Sequence, residues 1–299
     1  MKILISGSSG LVGSALIPYL REKGHEVFCL VRRAPKNSSM EIFWNLEKGE
    51  IDKTKLEGID IVIHLAGENI ASGRWTAQKK QRLRSSRVES TKFLCQTLLN
   101  LKTPPQMVLS ASAVGFYGDR GTEILHEESH VGKGFLAELA CDWESAWDPL
   151  VQQKIRVVNL RFGMILSSKG GALTEMKKPF SKGLGAIFGN GKQYWSWIHM
   201  DDVLGAIDHV LPTKHIIRGP LNVVAPHSVT QKEFAKTLGQ VLHRPVFLRV
   251  PSFALKIIFG EMAEGLFLSS ARAEPARLGA TSYKFKYPNL ELALKNLLT

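Results

Sequence analysis

The residues with the plainest chemical meaning stand at the start of the chain, where Lys2-Ile3-Leu4-Ile5 runs into Ser6-Gly7-Ser8-Ser9-Gly10-Leu11-Val12-Gly13. Glycines spaced G-x-x-G-x-x-G between a strand and a helix turn the chain tightly and let two phosphates approach the backbone. They also leave the first N–H groups of the helix aimed at those phosphates. Leu16, Ile17 and Leu20 follow at helical spacing, the context such a pattern needs. Gly7, Ser9, Gly10, Leu11, Val12 and Gly13 are therefore expected around a dinucleotide pyrophosphate. The next apolar run, Glu26-Val27-Phe28-Cys29-Leu30-Val31, ends in Arg32-Arg33. That is about 20 residues past the last glycine, where an NAD site places an acid for the ribose 2′-hydroxyl. A guanidinium there suits the 2′-phosphate of NADP instead. The competing reading makes Arg32 and Arg33 solvated residues at a strand end.

These residues need a sheet to position them, and the chain provides its pattern. Strand-like runs at 41–45, 60–65, 106–112 and 155–162 alternate with helical stretches at about 76–100 and 135–153. Such βαβ winding predicts an α/β fold of Rossmann type, a doubly wound parallel sheet covered on both faces, with ligands at the carboxyl ends of its strands. From about Gly163 the chain turns to glycine-rich and aromatic loops and shorter elements. We therefore expect an NADP-binding domain over 1–165, with later segments returning to its sheet, and a smaller C-terminal substrate lobe over 166–299.

Composition narrows the classes. The chain has 299 residues and 44% hydrophobic content, enough for one full α/β domain and a smaller lobe. Cys29, Cys95 and Cys141 are odd in number and lie in apolar patterns, so they read as buried thiols. No disulfide or metal site is expected, since the nine histidines show no ligand spacing. There is no signal-peptide core or spanning segment, so the expectation is a cytoplasmic protein without a membrane partner. The net charge of +12 is densest at Lys79-Lys80-Gln81-Arg82-Leu83-Arg84-Ser85-Ser86-Arg87, where it reads as a solvated helix side. No nucleic-acid module accompanies it. The expected partner is a small-molecule substrate, and the expected state a monomer or homodimer.

Further ordered motifs resemble the extended short-chain dehydrogenase/reductase superfamily, and specifically its atypical epimerase-like family with a short C-terminal extension, sometimes labelled cell-division-inhibitor-like. They include His64-Leu65-Ala66-Gly67-Glu68-Asn69-Ile70 with Arg74-Trp75-Thr76, Ser110-Ala111-Ser112-Ala113-Val114-Gly115-Phe116-Tyr117-Gly118, Leu160-Arg161-Phe162-Gly163 and Trp197-Ile198-His199-Met200-Asp201-Asp202-Val203. The resemblance spans essentially the whole chain. It implies that Leu65, Ala66, Gly67, Ser110, Ala111 and Gly163 also border the cofactor. It also implies that Ser112 is the serine that hydrogen-bonds the reacting oxygen, and that Tyr117 meets substrate.

One departure governs the chemistry. The superfamily's Tyr-x-x-x-Lys pair, in which the ammonium lowers the phenol pKa, is absent. Counting back from Glu144, the segment reads Phe135-Leu136-Ala137-Glu138-Leu139-Ala140-Cys141-Asp142-Trp143. Ser112, Tyr117 and Glu68 remain as candidate catalytic groups, and Arg74, Trp75, Gln193, Trp195 and His199 as a substrate wall. Two functions stay open: an NADP-dependent epimerase or oxidoreductase acting on a small polar or nucleotide-linked substrate, and a non-catalytic NADP(H)-binding sensor or regulatory module.

Overall fold

Strands β1 (Lys2–Ser6), β2 (Glu26–Val31), β3 (Glu41–Asn45), β4 (Glu50–Ile51), β5 (Ile61–His64), β6 (Met107–Ala113), β7 (Arg156–Phe162) and β8 (Gly219–Val223) form the main sheet. Their spatial order is β8-β7-β6-β5-β1-β2-β3-β4 in a computed structural model that describes residues 1–211 and 217–299. Every neighbouring pair is parallel except β3 with β4. The central strands are apolar on both faces because both are covered. On one face Ile3, Ile5, Ile63 and Leu109 pack against Leu16 and Leu20 of helix α1 (Leu11–Glu22) and against Val203 and Ile207. On the other, Leu4, Val62 and Val108 meet Leu94 and Leu98 of the later part of a long helix, together with Trp147.

That long helix comprises α2 (Ala77–Arg84), a π-helical turn over Ser85–Glu89, and α3 (Ser90–Leu99). The stretch expected at 135–153 divides into α4 (Phe135–Ser145) and a short helix, Asp148–Gln152, with Pro149 in its first turn. Proline is tolerated there because the first N–H groups of a helix have no intrahelical acceptor.

The cationic segment is only in part the solvated side expected from the sequence: Gln81, Arg82 and Arg84 are exposed. Lys79 is buried and its ammonium meets Glu68 at 2.6 Å, Lys80 pairs with Glu261, and Arg84 with Asp142. Its charges staple helix α2 to three other parts of the chain.

The chain passes from β1 to β2 on one side and to β5 on the other, so strand order reverses between β1 and β5. Outside the carboxyl ends of strands at such a point a crevice opens. Beyond β7 the chain builds short ladders, Met164–Leu166 with Trp197–His199 and Ala186–Phe188 with Leu248–Val250 among them. A separate core of Leu173, Phe180, Trp197, Phe234, Leu238 and Leu294 holds this lobe together. Helix Met200–Val210 and strand β8 return to the main sheet.

Candidate functional site

The crevice is built from the loops after β1 and β5. Gly7 has φ +72°, and a side chain on it would strike the Leu65 carbonyl at 2.7 Å, so the two loops close on one another only because Gly7 has none. Gly13 has a different duty, since a Cβ there would lie 2.3 Å from the Gly7 carbonyl oxygen; it lets α1 pack under its own loop. Gly10 is exposed, and a Cβ on it would meet only the Gly7 oxygen at 3.2 Å. Helix α1 has no side-chain cap and no acid in its first turn. Its open N–H groups and the room over Gly10 fit a phosphate.

Ser6 locks the two loops from below. Its hydroxyl bonds His64 Nδ1 at 2.7 Å and accepts from the N–H of Leu65 at 3.2 Å and Ala66 at 3.3 Å. Burial among Trp44 and Trp147 drives the His64 pKa down to about 3, which keeps the ring neutral.

The two arginines after β2 differ. Arg33 grips Glu41 in a fork at 2.9 and 2.5 Å, holding that carboxyl down to about 2 with help from the Lys36 N–H. Arg32 is exposed and makes no ion pair among the described residues. Arg33, expected at a 2′-phosphate, is thus already paired, and Arg32 is the guanidinium left open.

The candidate catalytic groups are all engaged within the chain. Ser112 donates to Glu144 Oε1 at 2.6 Å, and Glu144 in turn takes a fork from Arg161 at 2.8 and 2.9 Å. Tyr117 is fully buried; its hydroxyl donates to Asn222 Oδ1 at 2.7 Å and accepts from Arg161 at 3.0 Å, and burial raises its pKa. The structure therefore places Tyr117 in the core and not at a surface that meets substrate. Glu68 accepts from the buried Lys79, whose bond holds the carboxyl low, and Lys79 also reaches the Asn69 carbonyl and Ser72. Glu68 thus orders its loop as the anion of an ion pair with Lys79. Helix α4 carries neither a tyrosine nor a lysine along its whole length.

The expected substrate wall divides. A cleft of about 980 Å³ lies between the loops after β6, the start of α4 and the C-terminal lobe; Trp75, Lys133, Phe135, Lys192, Gln193 and Leu268 are among its lining. Trp75 stacks edgewise on Phe135 with centroids 5.4 Å apart, and Gln193 is pinned to the carbonyls of Phe188 and Phe267. Lys133 and Lys192 face this cleft with no ion pair among the described residues. The other three candidates have structural duties. Arg74 bonds the carbonyls of Ile257 and Ile258 at a helix end, Trp195 packs against Phe188 and Phe234, and buried His199 caps helix Met200–Val210 by accepting the Asp201 N–H at 3.0 Å. A Cβ on Gly163 would meet the Ser196 carbonyl at 2.7 Å, so this glycine serves strand packing. Ser110 is buried with its hydroxyl on the Ala111 carbonyl at 3.3 Å, while Gly67 is exposed at the crevice.

Arg87 stands in the sequence only within the cationic run and as a family match, and sequence reasoning gives it no site role. The π-helical turn turns its guanidinium against Gly67, where a Cβ would lie 3.2 Å from Cζ, and across the Trp143 ring at 5.2 Å. It donates to the Glu68 carbonyl at 3.0 Å, and burial lowers its pKa to about 10. Glu144 was noted as a motif acid, yet its bonds to Ser112 and Arg161 join positions far apart in the chain.

Comparison with known proteins agrees with this geometry. Residues 3–223 match the NAD dependent epimerase/dehydratase family, and 250–297 match a domain of unknown function, DUF1731. Epimerase family protein Mb2239 of Mycobacterium bovis is 41% identical over 292 residues, covering 98% of this chain and 96% of that protein. The crystal structure of human epimerase family protein SDR39U1 (isoform 2) with NADPH superposes with TM-score 0.90 at 34% identity, covering 99% of each chain. A nucleoside-diphosphate sugar epimerase from Corynebacterium glutamicum superposes at 0.81 with 37% identity, covering all of this chain and 58% of that one.

Proposed function

We propose, from the premise that the chain belongs to the NAD dependent epimerase/dehydratase family, that it binds NADP(H) across the β1–β5 crevice and works on an anionic, nucleotide-linked hydroxyl or carbonyl compound held in the adjoining cleft. The observations that carry this reading are the open α1 N-terminus over Gly10 and a cleft with two lysines that make no ion pair among the described residues. The first N–H groups of α1 hold the pyrophosphate, and Arg32 meets the 2′-phosphate. The NADPH bound to the human relative supports the choice of cofactor. A nicotinamide gives or takes a hydride when bound. Lys133 and Lys192 attract the substrate's phosphate, Trp75 and Phe135 bury its ring, and Gln193 fixes a polar end.

The test is calorimetric titration with NADPH and NADH, then an absorbance assay of nicotinamide oxidation or reduction with a panel of nucleotide sugars and simple carbonyl compounds. Tighter NADPH binding with turnover of a phosphate-bearing substrate that Lys133→Ala and Lys192→Ala weaken supports the reading. NADPH binding without turnover of any substrate favours a sensor or regulatory module, the reading that the engaged Ser112, Tyr117 and Glu68 would then explain.

A further inference from the structure

One edge of the C-terminal lobe carries a surface that the proposed chemistry does not use. Leu184, Phe247, Phe253, Ile257 and Ile258 are between 54% and 71% exposed there, half of the ten large hydrophobic side chains open to solvent among the described residues. The parallel register Ala186 to Leu248 sets Leu184 and Phe247 at one end of a short ladder. Helix Ser252–Phe259 starts two residues past the other end, with Phe253 and Ile257 one turn apart on one side and only Leu255 buried. Scattered exposed hydrophobes need no explanation, but a group on one edge does.

The charge of the same edge is predominantly positive. Residues 176–190 carry Lys177, Lys178 and Lys182 and no acid; residues 234–260 carry Lys236, Arg244, Arg249 and Lys256 and no acid. Arg244 Nε bonds the Ser181 carbonyl at 3.0 Å and ties the two segments together. Lys178 and Lys256 pair with Glu175 and Glu264 from outside them, while Lys177, Lys182, Lys236 and Arg249 are exposed without an ion pair among the described residues.

We propose that this edge docks on the surface of an anionic lipid bilayer, with the cations on the headgroups and Phe247, Phe253 and Ile257 entering the boundary beneath them. A bilayer interface rewards both features at once. A second copy of the chain would bring two proteins of net charge +12 together, and a nucleic acid would leave the apolar side chains in water. No helix among the described residues is long and apolar enough to cross a membrane, so the contact is peripheral. Ser252 and Lys256 also line the cleft, and docking would hold the cleft's rim near the bilayer.

The test is co-sedimentation of the full chain with vesicles of phosphatidylcholine alone and of phosphatidylcholine with phosphatidylglycerol, at low and high salt. Binding only to the anionic vesicles is expected, weakened by salt because exposed charges are screened. Phe253→Ser with Ile257→Ser, and separately Lys182→Glu with Arg249→Glu, should each weaken it by at least about tenfold. All four side chains are exposed, so circular dichroism and thermal midpoint should match the native chain. Equal binding to neutral vesicles, no binding, or unaltered binding by either variant overturns the proposal. So does a native dimer in sedimentation equilibrium that the Ser variant converts to monomer without any vesicle binding, which would assign the face to a second copy.

Discussion

Arg32 and Arg33 look interchangeable in sequence, and the structure separates what their removal should do. Arg32 is open, so Arg32→Ala should remove a charge-assisted hydrogen bond to the 2′-phosphate. Such bonds contribute about 1.5–3 kcal/mol, which is roughly 10- to 150-fold in NADPH affinity. NADH affinity should hardly move. Arg33→Ala removes no ligand contact but strips Glu41 of its fork, leaving a carboxylate held by the N–H of Lys36 at 2.6 Å and Asn37 at 3.3 Å. Its effect on NADPH is then indirect, through an unneutralised anion near the same loop. Unit charges 4 Å apart in water interact by about 1 kcal/mol, so the loss should stay within roughly fivefold. Adding Glu41→Gln to Arg33→Ala should restore the native affinity, because the repelling charge is gone. Calorimetric titration of the native chain, the two single variants and the double variant with both cofactors decides the matter. A larger loss for Arg33→Ala than for Arg32→Ala, not rescued by Glu41→Gln, would refute the assignment.

The glycines should also part company: Gly10→Val should stay folded but lose NADPH, while Gly13→Val should unfold more easily, since its Cβ would stand 2.3 Å from the Gly7 oxygen, as thermal melts with and without cofactor would read. Glu144→Ala should destabilise by about 3–5 kcal/mol because it strands the buried Arg161 charge, and Arg161→Met on top of it should recover part of the loss in denaturant titration; a change under ~1 kcal/mol in the single variant would argue against a buried pair. His64 is held neutral with its pKa near 3 by burial. An unfolded histidine near ~6.5 binds the extra proton, so this contribution to stability is complete above that pH and drains away as pH falls toward the folded value, by at most ~1.4 kcal/mol per pH unit. His64→Asn should flatten that part of the melting-temperature profile between pH 6 and 4, roughly the middle of the window.

The sheet and the cofactor loop were legible because they depend on local order: alternating apolar runs, glycines at fixed offsets, and a helix that follows at once. Pairings across the fold were not. Arg33 finds its partner on the next strand, and nothing in Arg32-Arg33 tells which side chain turns toward Glu41. The resemblance makes Tyr117 a substrate residue, yet Asn222, 105 positions later, claims its hydroxyl from a strand that returns to the sheet late in the chain. His199, beside two aspartates, has the look of a site residue, but its Nδ1 is spent on the first turn of the helix it precedes.

The same reasoning explains why the absent Tyr-Lys pair does not leave a hole. Leu139 of α4 is buried with Trp75, Trp143 and Ala111, and Phe135 and Leu136 pack at the margin of that cluster, so this part of α4 is lined by apolar contact. Ser112, which the resemblance sets at the reacting oxygen, is bound to Glu144, and Arg161 holds Glu144 in turn. Ser112→Ala should therefore act first on stability, by about 1.5–3 kcal/mol for a hydrogen bond to a charged group, with NADPH affinity little changed. Turnover, once a substrate is found, should fall in Ser112→Ala only as far as Glu144 and Arg161 shift. A loss of ~10²-fold or more in kcat with an unchanged melting temperature, the size of a missing proton-transfer group, would return Ser112 to the chemistry.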